Sequence, residues 1–225
     1  MSTHGFPPLV LFDLDGTLLD SAPDMAATVN RMREARGQGP MPLAELRPHV
    51  SKGSRAMSAA AFPELGGEVP PAMIREFLDH YESELGRHSV LFEGVPELLD
   101  AIEAAGSRWG IVTNKPEYLA RQILPQLGWE ARSAILVGGD TLPQRKPHPL
   151  PLLHSASVLG VAIEDSVYVG DDQRDIDAAL AAGMRSVVAL WGYRPEGDDP
   201  AGWGGDVMAN SAHELLDPGL WAALR

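Results

Sequence analysis

Cysteine is absent from the 225 residues of this sequence. Its absence excludes disulfide bonds, thiolate metal ligands and cysteine nucleophiles. Long apolar runs are missing too, and no stretch is long enough to span a bilayer as a helix. Residues 1–8 have neither a basic start nor an apolar run, so we expect a cytoplasmic protein.

Basic residues are scarce. Eighteen Lys and Arg stand against 31 Asp and Glu, which leaves a formal net charge of −13 at pH 7. This charge repels nucleic acid and anionic membranes, so neither is expected as a partner. A phosphate substrate would need local compensation from a metal ion, a lysine and backbone N–H groups.

Short apolar runs that end at polar residues are typical of buried parallel strands. Five such runs occur, at residues 9–12, 109–112, 134–137, 167–169 and 186–190. Segments of helical length lie between them, at 96–105, 116–127, 150–159 and 175–182, and several end at glycine. This alternation predicts a doubly wound, Rossmann-like α/β fold with a parallel sheet, in which ligands bind at the carboxyl ends of the strands.

Residues 21–86 break the alternation, because they contain helical patterns only. Ser21-Ala22-Pro23-Asp24 matches a capping box and starts the first of these helices. A clearer helix, with one apolar face, follows Pro70-Pro71. We therefore predict a small helical domain of residues 21–86, called the insert below, within an α/β core of residues 1–20 and 87–225. A surface loop is expected around residues 192–205.

Asp13 and Asp15 come directly after the first apolar run and lie on the same side of an extended backbone. They could simply be solvated loop carboxylates. In a functional interpretation, one carboxylate attacks phosphorus, while the other gives the leaving oxygen a proton and then activates water. Gly16 would permit a sharp turn here, and Thr17 would offer a hydroxyl group.

A second acidic group, containing Asp171, Asp172 and Asp175, follows the fourth run. Carboxylates that converge at strand ends repel one another unless a cation binds, and hard oxygen ligands suit Mg²⁺. The alternative is that these residues cap the following helix, and both roles can coexist.

Two further segments fit a phosphate site. Thr113-Asn114 follows the second run, where a hydroxyl and an N–H group can hold a phosphoryl oxygen, although this pair is also common in turns. Lys146 lies before Pro147 and supplies a cation, although most lysines are solvated surface charges.

The order of these segments along the chain resembles the four motifs of the haloacid dehalogenase superfamily. The segments are Asp13-Leu14-Asp15-Gly16-Thr17, Thr113-Asn114, Lys146-Pro147 and Gly170-Asp171 with Asp175. The resemblance covers nearly the whole chain, and separate motifs support one site.

The resemblance implies a role for each matching residue. Asp13 is the implied nucleophile, which becomes an aspartyl phosphate, and Asp15 is the general acid and base. Mg²⁺ is bound by Asp13, by the backbone carbonyl of Asp15 and by Asp171. The phosphoryl group is bound by Thr113, Asn114 and Lys146. Gly16, Thr17, Asp172 and Asp175 support the site, with Asp175 orienting Lys146 or a metal-bound water.

In members with a helical insertion after the first motif, that insertion is a mobile cap of the C1 type. The insert stands in this place, and cap closure excludes water and supplies substrate contacts. Ser51-Lys52-Gly53-Ser54-Arg55 is a candidate specificity loop, with Arg55 as a candidate substrate contact. Its alternative is an exposed basic helix start.

Within the superfamily the chain resembles phosphoglycolate phosphatases, and more closely the bacterial N-acetylmuramate 6-phosphate phosphatases. The segments that carry the closer likeness are Phe92 to Leu99, Asp171 to Ile176 and Trp191-Gly192-Tyr193. The implied substrate is a small phosphate ester, 2-phosphoglycolate or N-acetylmuramate 6-phosphate, which places the enzyme in carbohydrate metabolism. One departure is His148, where an acidic residue usually stands.

Three alternatives stay open at this level. A sugar phosphomutase of the same superfamily keeps Asp15 and differs mainly in how its cap controls water. A receiver-like phospho-acceptor also combines Asp, Thr and Lys with magnesium, although the motif order and the insert disfavour it. The third is a magnesium-binding interaction protein without activity. Both a monomer and a homodimer are compatible with the sequence.

Overall fold

The computed structural model describes residues 5–195 and 197–224. Its strands are β1 (Leu9–Phe12), β2 (Leu19–Asp20), β3 (Val90–Leu91), β4 (Arg108–Val112), β5 (Leu136–Val137), β6 (Ser166–Gly170), β7 (Arg185–Ala189) and β8 (Val207–Ala209). Six of these form a parallel sheet in the order β5-β4-β1-β6-β7-β8. All five predicted runs form strands, and β8 is an addition at the sheet edge. The predicted doubly wound α/β fold is confirmed.

The helices in the described part of the chain are α1 (Ala22–Glu34), α2 (Leu43–Leu46), α3 (Ser54–Ala61), α4 (Pro71–Glu84), α5 (Val95–Ala104), α6 (Glu117–Leu127), α7 (Leu150–Leu159), α8 (Gln173–Ala182) and α9 (Pro218–Ala222). The first four belong to the insert. Gly128, Gly160 and Gly183 end α6, α7 and α8 in the left-handed conformation, as their sequence positions predict. None of the described helices has the length and apolar character needed to cross a bilayer.

Strand β1 is buried on both faces. Val10 and Phe12 belong to a large apolar cluster that includes residues of α5 and α6, whereas Leu9 and Leu11 belong to a second cluster on the opposite face. Successive side chains of a strand point to opposite faces, so four apolar residues in a row fill both sides. The strand that leads into Asp13 is therefore enclosed by core packing.

The insert begins and ends at one small antiparallel ribbon. Strand β2 leaves the core and pairs with β3, so that Leu19 lies opposite Leu91. Nearby, the buried carboxylate of Asp24 on α1 accepts hydrogen bonds from Gly86 N at 2.7 Å and His88 N at 2.6 Å. The two segments that connect the insert to the core are therefore held together at the base of the insert.

One local prediction, the capping box at Ser21, was wrong, whereas the described part of residues 192–205 forms a loop at the surface, as predicted. Ser21 stands at the N-cap of α1, but its side chain makes no capping bond; its hydroxyl donates to Asp15 Oδ1 at 2.6 Å. Asp24, the other half of the expected capping box, binds the backbone that returns from the insert. The expected surface loop contains a short 3₁₀ helix, Pro200–Trp203, which buries Trp203.

Candidate active site

The ends of three neighbouring strands bring the predicted residues together. Asp13 follows β1, Thr113 follows β4 and Asp171 follows β6, and β1 lies between the other two strands. The sheet pattern continues one residue further, because Asp13 N donates to Val169 O at 2.9 Å and Thr113 N to Val137 O at 2.9 Å. These side chains thus meet at the carboxyl edge of the sheet, where α/β proteins bind ligands.

Asp13, Asp171 and Asp175 form a buried acidic cluster, in which one carboxylate oxygen from each lies within 4.8 Å of the others. Burial raises the pKa of Asp13 to about 6; Lys146 opposes this shift, while Asp175 and Asp15 add to it. Burial, with the charges of Asp13 and Asp175, also raises the pKa of Asp171 well above its usual range. Grouped buried carboxylates of this kind are ionised together only when a cation binds, and their oxygen atoms suit a hard divalent ion.

Lys146 provides a fixed positive charge beside Asp13. Its Nζ lies 3.1 Å from Asp13 Oδ1 and 2.7 Å from Asp175 Oδ1, and its side chain is almost fully buried. Burial lowers the pKa of Lys146, but Asp13 and Asp175 outweigh it, so the pKa is raised overall. A further bond of 2.7 Å to the hydroxyl of Tyr168 fixes the ammonium group. Lys146 is therefore placed to meet an anion bound at Asp13.

Asp15 has different partners. Lys115 Nζ lies 3.0 and 3.2 Å from its two carboxylate oxygens, and the Ser21 hydroxyl donates to Oδ1 at 2.6 Å. Tyr81, on helix α4 of the insert, accepts a hydrogen bond from the same lysine. Neither Lys115 nor Tyr81 is among the site residues predicted from the sequence. Lys115 directly follows Thr113-Asn114, whereas Tyr81 is one of several apolar-face residues of its helix, so sequence offers only a weak signal for it.

Gly16 and Thr17 support the acidic cluster. Gly16 has a φ of 89°, and a Cβ at this position would lie 2.3 Å from Asp171 Oδ2, so a side chain is excluded there. The Thr17 hydroxyl donates to Asp171 Oδ1 at 3.1 Å, and Tyr193 N donates to Asp171 Oδ2 at 2.8 Å. The turn after β1 thus holds Asp171 in place.

Thr113 and Asn114 join the loops around the site. The Thr113 hydroxyl accepts a bond of 3.2 Å from Lys115 N, and Asn114 Nδ2 donates to the backbone carbonyl of Lys146 at 3.0 Å. Both residues also line the cavity described below. His148, the departure from the usual motif, accepts a bond from Leu150 N within the same turn, and Lys146 keeps its contacts.

The Asp172 carboxylate contacts Arg174 and Lys52. Its Oδ1 accepts from Arg174 N at 3.0 Å and so caps α8, while Asp175 Oδ2 accepts from Asp172 N at 3.0 Å. Lys52 Nζ of the insert lies 2.8 Å from Asp172 Oδ2. Burial works to raise the pKa of Asp172, but Arg174 and Lys52 outweigh it, so this pKa lies below its usual range. The capping interpretation therefore holds for Asp172, whereas Asp175 both caps the helix and faces Lys146.

A cavity of about 360 Å³ lies between the core and the insert. The core contributes polar groups to its wall: Asp13, Asp15, Thr113, Asn114, Lys115, Arg145 and Arg174. The insert contributes Ser51, Lys52 and Arg55 together with the apolar residues Met25, Val50, Met57, Ile74, Phe77 and Leu78. Arg55 is exposed and donates to Val69 O at 3.0 Å. The carboxylate of Asp13 thus faces a space that both parts of the chain enclose.

A family model described as haloacid dehalogenase-like hydrolase matches residues 10–189. The chain belongs to this family. It is 60% identical over 216 residues to a phosphoglycolate phosphatase of Xanthomonas campestris pv. campestris (strain 8004), with 96% of this chain and 98% of the relative covered. It is 44% identical over 209 residues to an N-acetylmuramic acid 6-phosphate phosphatase of Pseudomonas aeruginosa, with 92% of each chain covered. The predicted resemblance is confirmed.

The same family is found among solved structures. The crystal structure of a predicted phosphoglycolate phosphatase from Haemophilus somnus 129pt matches with a TM-score of 0.81 and 28% identity, and covers 95% of this chain and 98% of that chain. This haloacid dehalogenase-like protein is therefore an enzyme of the phosphatase type, as its sequence predicted. These matches do not support the receiver-like phospho-acceptor or the inactive magnesium-binding protein.

Proposed function

We propose that this enzyme is a magnesium-dependent phosphomonoester hydrolase that acts through an aspartyl phosphate on Asp13. The observation that carries the proposal is the position of Asp13 at the cavity wall, with Lys146 Nζ 3.1 Å from its Oδ1. Asp15 lines the same cavity two residues further along the chain. A carboxylate nucleophile, a neighbouring cation and a second carboxylate are the groups that this chemistry needs.

The acidic cluster fits a magnesium ion. The carboxylates of Asp13 and Asp171 and the backbone carbonyl of Asp15 would hold it, and Asp175 lies within the same cluster. When bound, Mg²⁺ neutralises these carboxylates and polarises a phosphoryl oxygen. Lys146, Thr113 and Asn114 would bind the other phosphoryl oxygens.

The reaction has two steps. A carboxylate oxygen of Asp13 attacks phosphorus, the bond from phosphorus to the leaving oxygen breaks, and Asp15 gives that oxygen its proton. Water then attacks phosphorus while Asp15 takes a proton from it, and the bond between phosphorus and Asp13 breaks. The free carboxylate of Asp13 and the proton on Asp15 are restored. The net reaction converts a phosphate ester and water into an alcohol and phosphate.

The insert, residues 21–86, would act as the cap of this active site. In support, it supplies the apolar wall of the cavity and the basic residues Lys52 and Arg55. Closure of such a cap excludes bulk water and adds contacts to the part of the substrate that is not transferred. The choice of substrate would therefore depend on the insert, while the core recognises the phosphoryl group.

The substrate would be 2-phosphoglycolate or N-acetylmuramate 6-phosphate. A volume of about 360 Å³ falls within the range of about 300–1,000 Å³ that is typical of pockets for larger organic ligands. The apolar side chains of Met57, Ile74 and Phe77 also offer contacts that a two-carbon acid cannot use. These features favour the sugar phosphate. A comparison of kcat/KM for the two esters decides between them.

The chemistry itself is tested with Asp13→Asn. We expect turnover to fall by at least about 10³-fold, because amide nitrogen and oxygen are poor nucleophiles. Asp79→Asn, on the exposed face of α4, is the matched control and should keep the wild-type rate. Removal of Mg²⁺ by a chelator should abolish activity reversibly. Near wild-type turnover by Asp13→Asn would contradict the proposal.

The same assay separates hydrolysis from phosphomutase activity. A hydrolase releases inorganic phosphate with every turnover, whereas a mutase returns an isomeric sugar phosphate and little free phosphate. Release of phosphate in a one-to-one ratio with the alcohol is the expected result.

A cytoplasmic location and a monomeric or homodimeric state stay predictions.

A further inference from the structure

Lys115 is a buried cation to which the reaction steps above assign no role. Its side chain is 2% exposed, and its Nζ lies 3.0 Å from Asp15 Oδ1 and 3.2 Å from Asp15 Oδ2. The same ammonium group donates to the hydroxyl of Tyr81 and lies 4.4 Å from the centre of that ring. The lysine therefore connects the loop after β1 with helix α4 of the insert.

The contacts of Lys115 restrict the Asp15 carboxylate. A lysine that binds both oxygens limits rotation of the group, and the Ser21 hydroxyl adds a third contact at Oδ1. A general acid must stay within hydrogen-bond reach of the leaving oxygen, and an error of about 1 Å in such an arrangement can reduce the rate by about 100-fold. The group that directs Asp15 therefore affects how quickly the proton is transferred.

Tyr81 in turn restricts Lys115. The tyrosine is buried, and burial, with the charges of Asp15 and Asp24, raises its pKa well above the usual value, so the hydroxyl stays neutral. A neutral hydroxyl and the face of the ring both attract the ammonium group without removing its charge. Because Tyr81 belongs to the insert and Lys115 to the core, the place of α4 affects the place of the lysine.

We propose that Lys115 is a positioning residue for the acid and base Asp15, and that Tyr81 holds Lys115 from the insert. This inference rests on the proposed function, which assigns proton transfer to Asp15. It links the insert to the proton donor through two side chains, so proton transfer is efficient only when α4 is in place.

Another role for Lys115 would produce different kinetics. The lysine also lines the cavity, so it could instead bind a second anionic group of the substrate, one that is separate from the phosphoryl group. Ethyl phosphate lacks such a group and has a leaving oxygen that needs a proton. 4-Nitrophenyl phosphate loses a stable phenolate that needs none, and 2-phosphoglycolate carries a carboxylate. These three esters therefore separate positioning of Asp15 from binding of an anion.

The test uses Lys115→Met, Lys115→Arg and Tyr81→Phe in the full-length, magnesium-loaded enzyme. For Lys115→Met we expect kcat on ethyl phosphate to fall by about 100-fold with KM nearly unchanged. The first release of 4-nitrophenolate, measured before the steady state, should slow far less, while the later hydrolysis of the phosphoenzyme slows strongly. Lys115→Arg should restore part of the loss, because it keeps a cation beside Asp15.

Tyr81→Phe keeps the ring and removes only the hydroxyl. Its expected effect is a smaller loss of about three- to tenfold, with the same preference for 4-nitrophenolate release. Thermal unfolding with and without Mg²⁺ shows whether Lys115→Met folds. If it does not, Tyr81→Phe provides the test. Tyr118→Phe, an exposed tyrosine on α6, is the matched control and should keep wild-type kinetics.

Two outcomes would overturn the inference. One is an equal loss for ethyl phosphate and for the first release of 4-nitrophenolate, which would indicate a general structural defect. The other is an increase in KM for 2-phosphoglycolate alone with kcat unchanged, which would make Lys115 an anion-binding residue. Failure of the proposed function would be seen in a different experiment, as near wild-type turnover by Asp13→Asn.

Discussion

The ammonium group of Lys52 lies 2.8 Å from Asp172 Oδ2, and this ion pair joins the insert to the loop that begins α8. The neighbouring Ser51 adds two contacts, because its hydroxyl donates to Asp171 Oδ2 at 2.9 Å and its carbonyl accepts from Arg174. The loop before α3 therefore touches the residue that precedes α8 and a member of the acidic cluster. The position of the insert and the geometry of the cluster are coupled through these contacts.

Lys52→Ala tests this connection. A partly exposed ion pair of this kind contributes up to about 1 kcal/mol, so we expect a loss of at most about fivefold in kcat/KM. The thermal midpoint should hardly change, since a partly exposed ion pair contributes little to stability. Arg75→Ala, an exposed basic residue on α4, is the control. A decrease beyond about 30-fold would mean that Lys52 contacts the substrate directly.

Arg55→Ala tests the specificity loop predicted from the sequence. Arg55 lines the cavity and donates to Val69 O at 3.0 Å, so its guanidinium has further donors for a substrate. We expect KM to increase more for the better of the two proposed substrates than for 4-nitrophenyl phosphate. Equal effects on both esters would remove Arg55 from the residues that set specificity.

Lys146→Met should be strongly destabilising in the absence of Mg²⁺. The change leaves Asp13 and Asp175 without their buried cation, and removal of one partner from a buried ion pair typically costs about 3–5 kcal/mol. Chemical denaturation measures the loss. The double variant Lys146→Met with Asp13→Asn should recover part of it, because one unpaired charge is gone. No recovery would show that packing, and not charge, causes the loss.

The stabilising effect of Mg²⁺ should increase with pH. Burial raises the pKa of Asp13 to about 6 and that of Asp171 well above its usual range. The metal-free fold thus binds more protons than the unfolded chain, so the stability from Asp13 is present below about pH 4 and is lost as pH rises through about 6, and the raised pKa of Asp171 acts in the same direction. Mg²⁺ needs the ionised carboxylates and compensates for this loss.

We therefore expect the rise in thermal midpoint on addition of Mg²⁺ to be larger at about pH 7.5 than at about pH 5. Thermal unfolding in Mg²⁺ and in chelator, over this pH range, measures the difference. Asp13→Asn should show a weaker pH dependence, since it lacks one of the titrating groups. A Mg²⁺ effect that is the same at both pH values would contradict the assignment of this cluster as the metal site.

Asp24→Ala should weaken the base of the insert. The Asp24 carboxylate is fully buried and accepts from Gly86 N, His88 N and the hydroxyl of Ser89. Without it, backbone donors lose their partner, and each such loss costs about 1–3 kcal/mol. Chemical denaturation should show a decrease of that size or greater, while Ser89→Ala should show a smaller one. An unchanged stability would mean that water replaces the carboxylate.

Much of the core followed from local patterns. The apolar run 9–12 predicted β1, and the positions of Asp13, Thr113 and Asp171 at strand ends predicted their convergence. Such inferences succeed because strand periodicity and the burial of parallel strands are encoded in neighbouring residues. Strand β8 was missed because three residues after a region rich in glycine and proline carry too little pattern.

The partners of the functional side chains were decided by tertiary structure alone. The carboxylate of Asp15 and the ammonium group of Lys115 are 100 residues apart in sequence, and no local pattern pairs them. The Ser21 hydroxyl donates to Asp15 and makes no capping bond, and the Thr17 hydroxyl donates to Asp171. The sequence by itself determined which residue types stand at the strand ends. Only folding decided which of them touch, because those contacts depend on the spacing and burial of distant segments.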